Sequence, residues 1–203
     1  AADGGPDSGA WEPWSRSVIQ NRLAQHARGI DRADEALLRE AYQDDGTVDY
    51  GSLQGSAAEF AAAIAAMHDG APMSSHRTSN MWIAVEGHSA ISESYVMAWV
   101  TLPTDGDPQP HLVGGRYLDR HSYKLGDWRM QHRQYVLDWI TQFLSPQPAA
   151  TRPAFAPQTF GPQGAHFPRD AGSALMAAHA SSNKLMKESA PMDETQALEE
   201  VVA

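Results

Sequence analysis

Apolar side chains at Val18, Ile19, Leu23, Ala27 and Ile30 recur at the step of one helix face, so the pattern predicts a helix opening near Ser17. A second helix is predicted from about Arg32 to Tyr42, with Ala36, Leu37 and Ala41 inward, before Asp44-Asp45-Gly46 turns the chain. Thr47 to Tyr50 reads as a short strand. Ser56 to Met67 reads as a third helix, with Ser56 as its N-cap and Glu59 at the capping-box position. After Pro72 the period shortens to that of extended chain, with runs at about Ser75 to Val85, Ala90 to Leu102, His111 to Tyr123 and Trp128 to Ile140. Turn chemistry separates them at Glu86-Gly87-His88-Ser89, Thr104 to Pro108 and Lys124-Leu125-Gly126-Asp127. Strands joined in this way are antiparallel neighbours. Helices followed by a run of strands predict an α+β fold: a cone-shaped α+β barrel in which a curved antiparallel sheet carries the N-terminal helices over its concave face. The inside of such a cone is a natural cavity.

The last run breaks the rule for a strand with one buried face. Strict alternation puts Trp128, Met130, His132 and Gln134 on one side and Arg129, Gln131, Arg133 and Tyr135 on the other, so both faces carry polar groups. A pocket wall, mostly apolar with a few placed polar groups, is one physical reason for that mixture, and a wet sheet edge is the other. On the first reading the Arg129, Gln131, Arg133 and Tyr135 face lines the pocket. Gly114-Gly115, inside the preceding strand, marks a bulge or bend rather than a phosphate loop.

The ends differ from the middle. Residues 1–14 form an N-terminal arm, low in complexity up to Gly9 and then carrying Trp11 and Trp14 to pack on the domain. Residues 15–145 form the domain. Residues 146–203 form a Pro- and Gly-rich tail, with one Ala-rich helix expected over about Gly172 to Met186. With 15 Lys and Arg against 25 Asp and Glu, the net charge of -10 argues against nucleic acid and anionic membrane as partners. No apolar run approaches a membrane span, which with the absence of a signal-like start suggests a cytoplasmic protein. With no cysteine, any catalysis must use the remaining ionisable side chains. The 9 histidines are scattered without metal-ligand spacing, so neither a metal nor another cofactor is expected.

Five segments carry a family resemblance: Ile30-Asp31-Arg32-Ala33-Asp34, Val48-Asp49-Tyr50-Gly51, Ser75-His76-Arg77-Thr78-Ser79-Asn80, Gly115-Arg116-Tyr117, and Gly126-Asp127-Trp128-Arg129 running to His132-Arg133. Together, over about Ser17 to Trp139, they resemble the SnoaL-like branch of the nuclear transport factor 2-like superfamily. Among its members the chain looks most like scytalone dehydratase, hexachlorocyclohexane dehydrochlorinase and bile-acid 7α-dehydratase, all cofactor-free lyases acting on ring compounds. The resemblance implies a dyad of Asp31 and His76 with His76 as base, Arg133 at the departing group and Tyr50 polarising the substrate through a water. His26 stands where some relatives carry Lys or Tyr. It joins Trp82, Trp99, Tyr117, Gln131 and Tyr135 in the expected substrate-binding set. The resemblance also implies a homo-oligomer, trimeric or dimeric.

Each residue has a plainer reading beside that one. Asp31 could cap a helix, His76 could be an ordinary strand-end histidine, and Arg133 could pair with Asp138 or Glu93 across the sheet. An arginine inside the cone must find an anion somewhere, because an uncompensated buried charge is costly. The expected function is a lyase that removes a proton from a hydrophobic aromatic or polycyclic molecule. Water is lost, or formaldehyde, as in bacterial lyases acting on lignin-derived diarylpropanes. An isomerase or cyclase, or a non-catalytic binding or assembly module, are the rival classes.

Overall fold

A computed structural model describes residues 9–68, 71–102, 105, 107–142 and, in the tail, 166–169, 173–175, 177–178 and 181. The expectations for the first eight residues and for most of the tail lie outside them. Three helices precede most of a six-stranded sheet: α1 (Trp11–Arg32), α2 (Glu35–Glu40), β1 (Tyr42–Asp49), β2 (Gln54–Ser56), α3 (Ala57–His68), β3 (Ser75–Glu86), β4 (Ser89–Leu102), β5 (Gln109–Lys124) and β6 (Asp127–Gln142). The sheet order is β2-β1-β6-β5-β4-β3. The four long strands pair antiparallel as expected, and one parallel pairing, β1 with β6, makes the sheet mixed. The sheet curves around the helices without closing, an α+β cone.

Local chemistry accounts for these elements and for the departures from expectation. The helix α1 begins at Trp11 rather than near Ser17. Pro13 is tolerated in its first turn, where no backbone N–H is required. Trp11 stacks among Trp14, His88, Tyr123 and Trp128 and donates its indole N–H to Gly87 O, which ties the helix start to the β3–β4 turn. At the far end Ala33 adopts a left-handed conformation, and its N–H and that of Asp34 close on Ile30 O and Gly29 O. Leu38 lies only 2.7 Å from where a Gly29 Cβ would stand, so α2 can fold tightly against α1 only at a glycine. Asp44-Asp45-Gly46 is no turn but an irregular stretch within β1, where the pairing with β6 slips between Tyr42 and Thr47. The capping box forms as expected: Glu59 N–H donates to Ser56 Oγ, and Ser56 N–H donates to the Glu59 carboxylate. Ile19, Leu23, Leu38, Tyr42, Phe60, Trp128 and Met130 fill the core between helices and sheet.

Candidate active site

Between α1, α3 and the concave face of the sheet lies a cavity of about 780 Å³. Its wall is chiefly aliphatic and aromatic, including Ile30, Phe60, Ile64, Val96, Ala98 and Val113. Few polar side chains reach it, among them His76, His68, Ser74 and Tyr135. That size and lining suit an apolar small molecule held by a few directional contacts.

The dyad expected from the sequence is a contact. Asp34, not Asp31, caps α2, accepting from the N–H of Leu37, so Asp31 in the last turn of α1 is left to face β3. His76 Nδ1 meets Asp31 Oδ1 at 2.6 Å, the His76 N–H donates to Oδ2 at 2.9 Å, and the Ser74 hydroxyl donates to Oδ1 at 2.9 Å. Both side chains are nearly buried, at 11% and 13% exposure. A carboxylate at a helix C-terminus stands against the helix dipole, so these donors supply what the helix does not. Burial pushes the Asp31 carboxyl up, but the side-chain and backbone hydrogen bonds of His76, its charge and the Ser74 hydroxyl together hold it below its usual value. Asp31 therefore acts as an ionised acceptor. With Nδ1 so engaged, Nε2 is the ring nitrogen of His76 left for the cavity.

Arg133 departs from expectation. It is fully buried and fixed side-on to Asp119, with Nε to Oδ1 and Nη2 to Oδ2 both at 2.7 Å, while its guanidinium carbon lies 3.8 Å from the Tyr117 ring centre. Burial opposes its charge, but Asp119 outweighs that and holds its pKa well above the ordinary value. The cross-sheet partner of Asp138 and Glu93 is Arg116 instead. Arg133 is thus already satisfied, and it is not part of the cavity wall. Its remaining Nη1 donates to His26 Nδ1 at 2.8 Å, and His26 Nε2 meets the Tyr42 hydroxyl at 2.9 Å. Arginine can only donate, so the neutral ring of His26 must carry its proton on Nε2 and donate to Tyr42. Burial, with Arg133 and His76 nearby, holds His26 well below its usual pKa and keeps it uncharged. His26 is therefore a buried link behind the wall rather than a substrate contact. The Tyr50 ring lines the cavity, but its hydroxyl is buried near Arg133 and Tyr42 without a hydrogen bond of good geometry to either.

Tyr117 and Tyr135 line the cavity; Trp82, Trp99 and Gln131 do not. Two bulges explain most of this. Pairing of β5 with β6 slips around Gln131, so Trp128, Met130, Arg133 and Tyr135 all turn inward, while Gln131 hydrogen-bonds with Ser122 and Lys124 outside the cavity. In β3 the pairing slips between Ser79 and Trp82, at a left-handed Asn80. Inward facing passes from His76 to Ile83, which leaves Trp82 59% exposed. On β4 alternation is unbroken but inverted in size: Ala90, Ser92, Ser94, Val96 and Ala98 are buried, while Ile91, Tyr95, Met97 and Trp99 are exposed. Gly115 is required beneath Tyr135, whose ring and hydroxyl lie within 2.9 Å of where a Cβ would stand. Sequence reasoning missed Asp119, Tyr42, Ser74 and His68. Only Asp119 left a signal, as a carboxylate within the inward alternation Tyr117, Asp119, His121, Tyr123.

Among the described residues no group of three or more His, Asp or Glu could hold a metal ion, and no helix is long and apolar enough to cross a membrane. No curated protein matches the chain by sequence. Solved structures match in fold. A hexachlorocyclohexane dehydrochlorinase from Novosphingobium barchaimii superposes with a TM-score of 0.60 at 17% identity, over 66% of this chain and 94% of that one. A candidate scytalone dehydratase from Novosphingobium aromaticivorans gives 0.57 at 17% identity, over 66% and 91%. A Kribbella flavida protein gives 0.57 at 19% identity, over 64% and 95%. The SnoaL-like domain family matches residues 11–134, from the first residue of α1 to the residue after Arg133. With the family model covering most of the helices and sheet, the chain belongs to the SnoaL-like family of the nuclear transport factor 2-like superfamily.

Proposed function

We propose that the chain is a cofactor-independent lyase. His76, oriented by Asp31, removes a proton from a hydrophobic aromatic or polycyclic molecule, with loss of water or of formaldehyde. The observation that carries this is the 2.6 Å contact between Asp31 and His76 Nδ1 at the edge of a large apolar cavity. It directs Nε2 to the substrate and stabilises the imidazolium that forms. The dehydrochlorinase and dehydratase relatives in fold favour the same class. Tyr117 and Tyr135 hold the ring, and the Tyr50 ring packs between Phe60 and Tyr135. Because Asp119 neutralises Arg133, the leaving group gains no free guanidinium, and Arg133 forms with His26 and Tyr42 a buried polar link behind the cavity wall.

The test uses 5-nitrobenzisoxazole, a neutral aromatic probe whose isoxazole proton, once removed by a base, lets the N–O bond break and a coloured phenolate form. His76→Gln lowers that rate by roughly 10²-fold or more while probe binding, read by tryptophan quenching, persists. Unchanged turnover in the variant would sink the proposal. For the homo-oligomer reading, the support is the outer sheet face, where Trp82, Ile91, Tyr95, Met97, Trp99 and Trp139 are all exposed.

A further inference from the structure

His68, at the end of α3, also lines the cavity. Ala71, Pro72, Ser74 and His76, which follow it along the chain into β3, line the same cavity. His68 Nδ1 lies 2.9 Å from the carbonyl oxygen of Ile64, one helical turn back. A carbonyl oxygen can only accept, so Nδ1 carries the hydrogen and Nε2 is the nitrogen through which the ring gains or loses a proton. The same holds for His76, where the acceptor is the Asp31 carboxylate. Two imidazoles lining one chiefly apolar cavity thus have their Nδ1 atoms occupied.

They differ in what stands behind them. His76 has a carboxylate that stabilises its charged form. Among the described residues no carboxylate pairs with His68; its other aromatic neighbour is the His166 ring of the tail, edge-on at 6.3 Å. Asp31 stabilises the cation that forms on His76 as it takes a proton, whereas a second proton on His68 has no counter-charge among the described residues and is the more readily given up. We propose that His68 is a second catalytic residue, the general acid that protonates the leaving oxygen. This rests on the reading of His76 as base. In the step, His76 Nε2 takes the substrate C–H proton. The electron pair of that bond forms the new double bond as the carbon–oxygen bond breaks, and charged His68 gives its Nε2 proton to the departing oxygen, which leaves as water or alcohol. His76 ends charged and His68 neutral, and a proton returned through solvent resets the pair.

Two probes of unequal leaving group test this. Unsubstituted benzisoxazole expels a poorer phenolate than 5-nitrobenzisoxazole and so needs the acid more. His68→Gln and His68→Asn, each with an unchanged circular dichroism melt, are expected to slow the unsubstituted probe by roughly tenfold or more and the nitro probe by less than about twofold. Equal slowing of both probes, or no slowing of either, overturns the role of His68. In the same assay His76→Gln slows both probes strongly if the base reading holds, so that reading fails separately, when His76→Gln leaves both rates intact.

Discussion

The contact between Asp31 and His76 was legible only through the family resemblance, because the two residues lie 45 positions apart and meet by the fold alone, a carboxylate in the last turn of a helix against a histidine at the head of a strand. Asp31→Asn keeps the shape of that contact but removes the charge that stabilises the imidazolium. It is expected to lower probe turnover by about 10²-fold with little change in thermal midpoint, and a variant of full activity would show that the carboxylate only positions the ring. Arg133 was legible as a buried cation but not as to its anion, because Asp119 comes from a neighbouring strand whose register the sequence does not print. Asp119→Ala leaves that guanidinium buried without a counter-charge. It is expected to cost about 3–5 kcal/mol, read as a shift in the urea midpoint. Replacing both partners by Leu and Met recovers most of the loss.

The elements followed from periodicity wherever it ran unbroken, as in α1, α3 and β4. They failed where the backbone slips. A bulge reverses every inward and outward assignment beyond it, so one unseen slip near Gln131 placed Arg133 correctly inward but Trp128 and Met130 on the wrong face. Another at Asn80 put Trp82 into a wall that it does not touch. The sequence reading makes Asp44-Asp45-Gly46 a turn because Asp-Asp-Gly is turn chemistry, but Tyr42 before it and Thr47 after it both pair with β6, so the stretch is an irregularity within one strand. Gly115 tests this level directly. Gly115→Ala would drive a Cβ into the Tyr135 ring and the Val136 carbonyl oxygen. Loss of stability of about 1–3 kcal/mol is expected, together with weaker probe binding, because Tyr135 cannot withdraw without entering the cavity.

At the scale of the whole molecule, the cone encloses an apolar cavity and a buried polar layer behind it, and that layer makes stability depend on pH. His26 and His121 are buried neutral, the second held down to about 4 by burial, which outweighs the attraction of Asp119. Between their unfolded value and these lowered ones the unfolded chain takes up protons that the folded chain refuses. Stability is therefore fully present above the unfolded value and falls with pH below it, His121 alone contributing roughly 3 kcal/mol. Asp31 adds to the loss at lower pH, as its depressed carboxyl is finally protonated. Melting curves from pH 8 to pH 4 should show a steady decline beginning near pH 6.5, and a flat profile would mean that these histidines are solvated. The cavity itself is most directly tested by turnover of 5-nitrobenzisoxazole carrying deuterium in place of its isoxazole proton. If His76 removes that proton in the slow step, the deuterated probe turns over several-fold more slowly on kcat, and the effect disappears with the activity in His76→Gln. Equal rates for the two probes in the wild-type protein, with activity retained in that variant, would contradict the assignment of His76 as the base.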